Sequence, residues 1–396
     1  MKVALVHDYI KEFGGAERVL KTLTEIFPEA PIYTAFCFKG STAQREFADK
    51  NIRESFLAPI LKIGNLYSPL RFLIPLIWGS FDLSDYDLVI TSASWYVTRG
   101  FKVGKKTKVV CYCHTPPRWL YGYETSVGFT RYLPVKIYAA IVGHFIRMYD
   151  FVSAQKPKDV LKFKTPFFKV HSGVGLFIAN SKNVAERIKK FYRRDSVIIY
   201  PPVDVKRIVE ATKNVKRKEK YFLIVSRLVG AKGLEEAARA FKKQFRYKLK
   251  IVGESAGYSE VANRLKKISG GNIELLGRVS DRELYVLYAK AKGFIALARD
   301  EDFGMTVVEA QAAGTPIIAF NGGGFRESVI DGKTGILINE VSEDVIGGAI
   351  RKLEKIKWNK GNLQKNAMRF SKESFMRKIR KVLKEKVNSS KVVSIK

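Results

Sequence analysis

An alternation restricts the fold of this chain more than any other feature. Short apolar runs at residues 3–6, 88–91, 108–112, 176–179 and 197–200 are separated by longer segments able to form helices. Such runs fit strands buried on both faces, and buried strands joined by helices make a parallel sheet covered on both sides. The pattern stops at Tyr200-Pro201-Pro202-Val203, after which residues 204–220 are polar and rich in Lys. A second alternation follows, with YFLIVSR from Tyr221, YKLKIVG from Tyr247, IELLG from Ile273, GFIALA from Gly293 and PIIAF from Pro316. The expectation is an α/β protein of two doubly wound parallel-sheet domains, residues 1–203 and 204–370. Residues 371–396 form a helix and basic tail, with Phe375, Ile379 and Leu383 on one apolar face that packs back on the first domain.

At 396 residues and 46% hydrophobic content the chain can bury a large core. Its 71 Lys and Arg against 38 Asp and Glu leave +33, which calls for an anionic partner: nucleic acid, anionic lipid or a phosphorylated substrate. No helix-turn-helix, zinc-finger or RNA-recognition signature accompanies the charge, which argues against a nucleic-acid binder. Cys37, Cys111 and Cys113 have no metal-ligand spacing to the four histidines, so no metal site and a reduced, cytoplasmic setting are expected. The opening MKVALVHDY reads as a buried strand and not a secretion signal. Residues 56–79 are the most apolar stretch, but Lys62, Arg71 and three prolines interrupt them. A spanning helix needs about 20 nearly unbroken apolar residues, so this segment could lie on a membrane without crossing it. Two other basic regions could join it there. One is residues 154–175, with Lys156, Lys158, Lys162, Lys164 and Lys169; the other is residues 351–396, with 16 Lys and Arg against 3 Glu.

The segment with most chemistry is residues 296–316. A strand ending near Arg299 leads into a loop holding Glu301 to Met305, and a helix from about Thr306 runs to Gly314. Helix N-termini at the carboxyl edge of such a sheet bind anions, and the amides of Gly304, Met305 and Thr306 are placed for this. Glu301 and Glu309 can both line one cleft, where ionised carboxylates accept hydrogen bonds from sugar and ribose hydroxyls. The triplet Asp300-Glu301-Asp302 could hold a metal in a DxD-type transferase, but it overlaps this block and follows a second-domain strand.

The pattern E-D-F-G-x4-E-A-x-A-x-G-x-P resembles the E-x7-E signature of retaining GT-B glycosyltransferases of family 4, and the resemblance extends over nearly the whole chain. It implies that Glu301 contacts the transferred sugar, the Phe303, Gly304 and Met305 amides its hydroxyls and phosphate, and Glu309 the ribose. Arg227 and Lys232, in VSRLVGAKG, look like the pair that grips the donor diphosphate. The Gly14-Gly15 loop of HDYIKEFGGAERVL would face the diphosphate and sugar, and His114 of HTPPRWLYGYE resembles the donor-sugar histidine. Arg118 contacts an acceptor or pins its loop, and Arg278 and Val279 lie where the family lays the nucleobase. The resemblance further implies retention through front-face attack, without a protein nucleophile or cofactor. HDY…GGAERVL, APIYTAF, HTPPRWLY, NSKNVAERI, YPPVDV and EDFG look most like mannosyltransferases of polysaccharide and O-antigen assembly. That points to GDP-mannose as donor, a lipid-linked saccharide as acceptor and attachment to the inner face of a membrane. A UDP-sugar donor remains open, as does an epimerase or phosphorylase of the same fold.

Overall fold

The computed structural model describes residues 1–123, 133–163, 166–215, 218–243, 246–254, 260–268 and 271–387. It divides into two compact units. One comprises Met1–Tyr123, the described residues from 133 to 200, and those from Phe375 to 387; the other is Pro201–Ser374.

The first unit carries strands β1 (Val3–His7), β2 (Ile32–Thr34), β3 (Ile52–Glu54), β4 (Asp82–Leu83), β5 (Leu88–Ala93), β6 (Lys102–Val103), β7 (Lys108–Cys113), β8 (Leu176–Ala179) and β9 (Ser196–Ile198). Seven form one parallel sheet in the order β3-β2-β1-β5-β7-β8-β9, while β4 and β6 pair separately. All residues of β1 and β5 are buried, as strands covered on both faces require. Val3 lies opposite Leu88 and His7 opposite Ser92, so both strands end together at the carboxyl edge. Because the order runs outward from β1 in both directions, the switch point lies between β1 and β5.

In the helix Lys372–Lys386, Phe375, Ile379 and Leu383 are buried in one core with Leu5, Leu20 and Ile178. The Phe375 ring is 5.7 Å from that of Tyr112. The apolar face of this helix is therefore spent on the first unit's core and is not available to a membrane. Residues 56–79 form three short turns, Ala58–Leu61, Pro69–Leu73 and Ile74–Gly79, each with proline in its first turn. Ile74, Ile77 and Trp78 point into the core, whereas Phe56, Ile63, Phe72 and Leu76 are exposed. Among the described residues no helix is long and apolar enough to cross a membrane.

The second unit carries β10 (Tyr221–Val225), β11 (Lys248–Val252), β12 (Ile273–Gly277), β13 (Gly293–Ala296), β14 (Ile317–Phe320) and β15 (Gly335–Ile338). They form a parallel sheet in the order β12-β11-β10-β13-β14-β15, with its switch point between β10 and β13. The core is mostly aliphatic, with Ile224, Leu249, Ile251, Ile295 and Ile318 packed around Phe222 and Phe241. Each unit is thus a doubly wound sheet, as its alternation implies.

Candidate active site

In the second unit, the chain leaving β10 passes Arg227 and reaches Lys232 in the turn Gly230–Lys232; the chain leaving β13 reaches Glu301. Across the switch point between them, Lys232 Nζ donates to Glu301 Oε2 at 2.5 Å. Their side chains are 26% and 20% exposed, so ion pair and solvent compete on similar terms and a ligand can displace the contact. Arg227, two residues past β10, is exposed.

Strand β13 ends at Ala296, three residues before Arg299, because Leu297 and Ala298 are buried in the loop without pairing to β14. The helix that follows is Met305–Ala312, and Gly304 caps its N-terminus at φ +85°. A Cβ at Gly304 would stand 2.6 Å from Phe325 Cε1, so both conformation and space demand glycine there. Among the described residues no protein group accepts the N–H of Gly304, Met305 or Thr306, as at any uncapped helix start. Phe303 is buried with its ring 5.2 Å from Phe370, which anchors the loop. Glu309, on the buried side of the helix, has a partner that sequence reading missed: Tyr288 OH donates to its Oε2 at 2.9 Å. Also missed was Gly322-Gly323-Gly324. The Gly324 N–H donates to the Glu301 carbonyl at 2.8 Å, and a Cβ on Gly324 would meet Phe303 Cα at 2.3 Å. Consecutive glycines after a strand were the available signal. Arg278, exposed, and Val279, half-buried, lie at the same carboxyl edge but at the end of β12, two strands from the switch point. Among the described residues no three His, Cys, Asp or Glu side chains are grouped to hold a metal ion, Asp300-Glu301-Asp302 included.

The first unit has its own cluster at its own carboxyl edge. Gly14 precedes the helix Gly15–Ile26, and its N–H donates to Glu17 Oε2 at 2.9 Å. Glu17 Oε1 lies 3.4 Å from His7 Nε2. His114, one residue past β7, is buried, with Nε2 2.8 Å from Ser92 Oγ. Asp8, which the motifs did not single out, bridges the switch point by accepting from Ser94 N–H, Ser94 Oγ, Trp95 N–H and Thr98 Oγ1. It thereby holds the loop after β5, in which Val97 adopts φ +50°, a strained conformation for a β-branched residue. Arg118 opens the turn Arg118–Leu120 and is half-buried.

Burial pushes the His114 imidazole down to about 4, and nearby His7 adds to the shift, so the ring is neutral at pH 7. Below 6.5, its ordinary value, the unfolded chain takes up a proton that the folded protein refuses. Stability from this group is thus fully present above that pH and is lost as pH falls toward 4, by about 3 kcal/mol. We predict that His114→Gln flattens this acid limb in urea unfolding between pH 7 and 4.5; an unchanged slope would rule the assignment out.

Two family models match the chain. The one described as Glycosyltransferase Family 4 covers residues 13–207, and the one described as Glycosyl transferases group 1 covers residues 205–374. An uncharacterized glycosyltransferase of Methanocaldococcus jannaschii is 28% identical over 215 residues, 52% of this chain and 59% of the relative. The capsular polysaccharide biosynthesis glycosyltransferase CapM of Staphylococcus aureus is 30% identical over 155 residues, 35% of this chain and 40% of the relative. The chain thus spans less than two thirds of either relative. The crystal structure of Anabaena HepE in complex with UDP and glucose superposes with a TM-score of 0.66 at 16% identity, covering 97% of this chain and 100% of that one. With one family model on each unit's sheet, and residues 13–374 taken in between them, the chain belongs to the family 4, group 1 glycosyltransferases of the GT-B fold.

Proposed function

We propose that the protein is a retaining glycosyltransferase that moves a hexose, mannose from GDP-mannose, to a lipid-linked saccharide in cell-surface glycan synthesis. The observation that carries this reading is the Lys232–Glu301 pair at the second unit's switch point, next to the uncapped N-terminus of Met305–Ala312. A nucleotide diphosphate would draw Lys232 and Arg227 toward its oxygens and leave the Glu301 carboxylate to accept from sugar hydroxyls. The helix amides add positive potential at the same place. Neutral His114 can donate or accept a hydrogen bond at the sugar without adding charge. In the proposed step the acceptor hydroxyl attacks the anomeric carbon on the face from which the diphosphate leaves. The carbon–oxygen bond to the diphosphate breaks, the new glycosidic bond forms, and the departing diphosphate takes the hydroxyl proton.

Mannose and guanine are supported by the HDY…GGAERVL, HTPPRWLY and EDFG motifs, and the glycan context by the name of CapM. A UDP-sugar is the second reading, favoured by the UDP in the HepE structure. A screen of GDP- and UDP-sugars by thermal shift and product mass decides between them. Activity should persist in excess EDTA if Arg227, Lys232 and the helix amides neutralise the diphosphate as proposed; loss restored by Mg²⁺ or Mn²⁺ would return the Asp300-Glu301-Asp302 triplet to consideration.

The membrane part of the proposal is that the protein docks reversibly on the inner, cytoplasmic face through its first unit. Exposed Phe56, Ile63, Phe72 and Leu76 support it, as do Leu133, Ile137 and Ile141 at four-residue spacing along the helix Leu133–Ser153. Exposed Leu161, Phe163 and Phe167 lie among Lys156, Lys158, Lys162 and Lys169; Lys164 falls outside the described residues. Each basic residue near an anionic surface contributes about 1 kcal/mol. Co-sedimentation with anionic vesicles is expected at low salt and should weaken when Lys156, Lys158 and Lys162 are all replaced by Gln. Binding indifferent to anionic lipid content would refute it.

A further inference from the structure

The first unit half-buries a cation for which the transfer step above has no use. Arg71, in the turn Pro69–Leu73, lies between two indoles, its guanidinium carbon 4.7 Å from the Trp95 ring and 4.6 Å from the Trp119 ring. Its Nε donates to the Ser68 carbonyl at 2.6 Å and its Nη2 to Ser68 Oγ at 2.9 Å. A guanidinium has five N–H donors, so three remain without a protein acceptor among the described residues. No carboxylate of those residues pairs with it; the ionisable groups acting on it are tyrosines, and burial pushes its pKa down. Withdrawing a cation even partly from water without a carboxylate partner is costly, and two aromatic faces offset only part of that cost.

A second cation adjoins the first through Tyr67. Lys11 Nζ donates to Tyr67 OH at 3.2 Å and lies 4.9 Å from the Tyr67 ring, and it too has no carboxylate partner among the described residues. The Tyr67 ring is 6.2 Å from that of Trp95. These groups converge at the carboxyl edge of the first sheet. Lys11 follows β1, Trp95 follows β5 with its N–H held by Asp8, and Trp119 follows β7 next to Arg118, its Nε1 donating to the Trp95 carbonyl at 3.1 Å. The segment bearing Arg71 also presents the exposed Ile63, Leu66, Phe72 and Leu76.

We propose that Arg71 and Lys11 anchor an oxyanion borne by the acceptor, a phosphoryl group or a sugar carboxylate, while Tyr67, Trp95 and Trp119 supply flat apolar walls for the attached saccharide. The proposal rests on the glycosyl-transfer reading, with the first unit holding the acceptor. Planar guanidinium donors match the two oxygens of a phosphoryl or carboxylate group, and Lys11 adds a compact second charge.

The test is intrinsic tryptophan fluorescence of the full chain, since Trp95 and Trp119 flank the cation. The probes are inorganic phosphate, octyl phosphate below its micelle concentration, glucuronate and, as a neutral control, methyl glucoside. Saturable quenching by an oxyanion is expected, with methyl glucoside at least about tenfold weaker. Arg71→Gln and Lys11→Gln should each raise the half-saturating concentration about tenfold to hundredfold, the range for hydrogen bonds to charged groups. Tighter binding of octyl phosphate than of inorganic phosphate identifies a lipid-borne phosphoryl group; equal binding identifies the phosphoryl group alone, and a response to glucuronate only identifies an acidic sugar. Half-saturation equal in the wild type and both variants overturns the proposal, as does a wild type that answers no oxyanion. If Arg71→Gln fails to fold, Lys11→Gln decides. UDP and GDP binding to the wild type is measured in parallel. Its absence would remove the glycosyl-transfer reading itself, whereas nucleotide binding with unaltered quenching in the variants overturns only the oxyanion site.

Discussion

Lys232→Ala is expected to lower kcat by about two to three orders of magnitude at saturating donor, the usual cost of removing one group that faces charge developing in a transition state. The folded protein should hardly notice. Lys232 and Glu301 are both partly exposed, and such pairs contribute about 0 to 1 kcal/mol to stability. In the proposed mechanism the effect on turnover is larger because the lysine meets its full task only when the diphosphate leaves with its extra negative charge. Arg227→Ala should behave similarly, since its exposed side chain has no place in the core. The measurement is kcat beside the melting temperature for both single variants and the double one. Unchanged turnover in the purified double variant would remove both residues from the site.

Asp8→Ala is expected to cost about 3 to 5 kcal/mol, because several donors lose one acceptor together and each buried group left unsatisfied costs about 1 to 3 kcal/mol. Its carboxylate is 4% exposed and accepts from Ser94 N–H at 3.1 Å, Ser94 Oγ at 2.7 Å, Trp95 N–H at 2.6 Å and Thr98 Oγ1 at 2.5 Å. All of these donors lose their acceptor together. The same contacts hold Val97 at φ +50°, a conformation costing about 1 to 3 kcal/mol that the loop would then relax. Asp8→Asn keeps the shape and one acceptor oxygen, so its cost should be smaller. Urea unfolding at pH 7 measures both, and a loss below about 1 kcal/mol for Asp8→Ala, the value of an ordinary hydrogen bond, would contradict this account. Because Asp8 holds Trp95, the alanine variant should also weaken the oxyanion-dependent fluorescence quenching proposed for the first unit.

The central strands were legible residue by residue. Val3–His7 and Leu176–Ala179 begin where their apolar runs begin, because a strand covered on both faces is buried along almost its whole length. The helix Lys372–Lys386 announced its buried face through Phe375, Ile379 and Leu383, since a period near 3.6 is a local property of the chain. Strand β3 gave no such signal. It is short and lies at the sheet edge, where Arg53 and Glu54 remain exposed, so nothing obliges its residues to be apolar. The family pattern pointed to Lys232 and Glu301 separately, 69 residues apart, but only the parallel pairing of β10 with β13 at a switch point brings their charges to 2.5 Å. Tyr288 against Glu309, the loop of residues 94–98 around Asp8, and Arg71 between Trp95 and Trp119 likewise rest on contacts across many residues. Periodicity and capping act within a few residues, and by them the sequence alone determined which segments become strands and helices. Hydrogen bonds and ring contacts between distant segments form only once the sheet has set their strand order, and for that reason the tertiary structure decided which charges are paired with carboxylates and which, among the described residues, lie against aromatic rings instead.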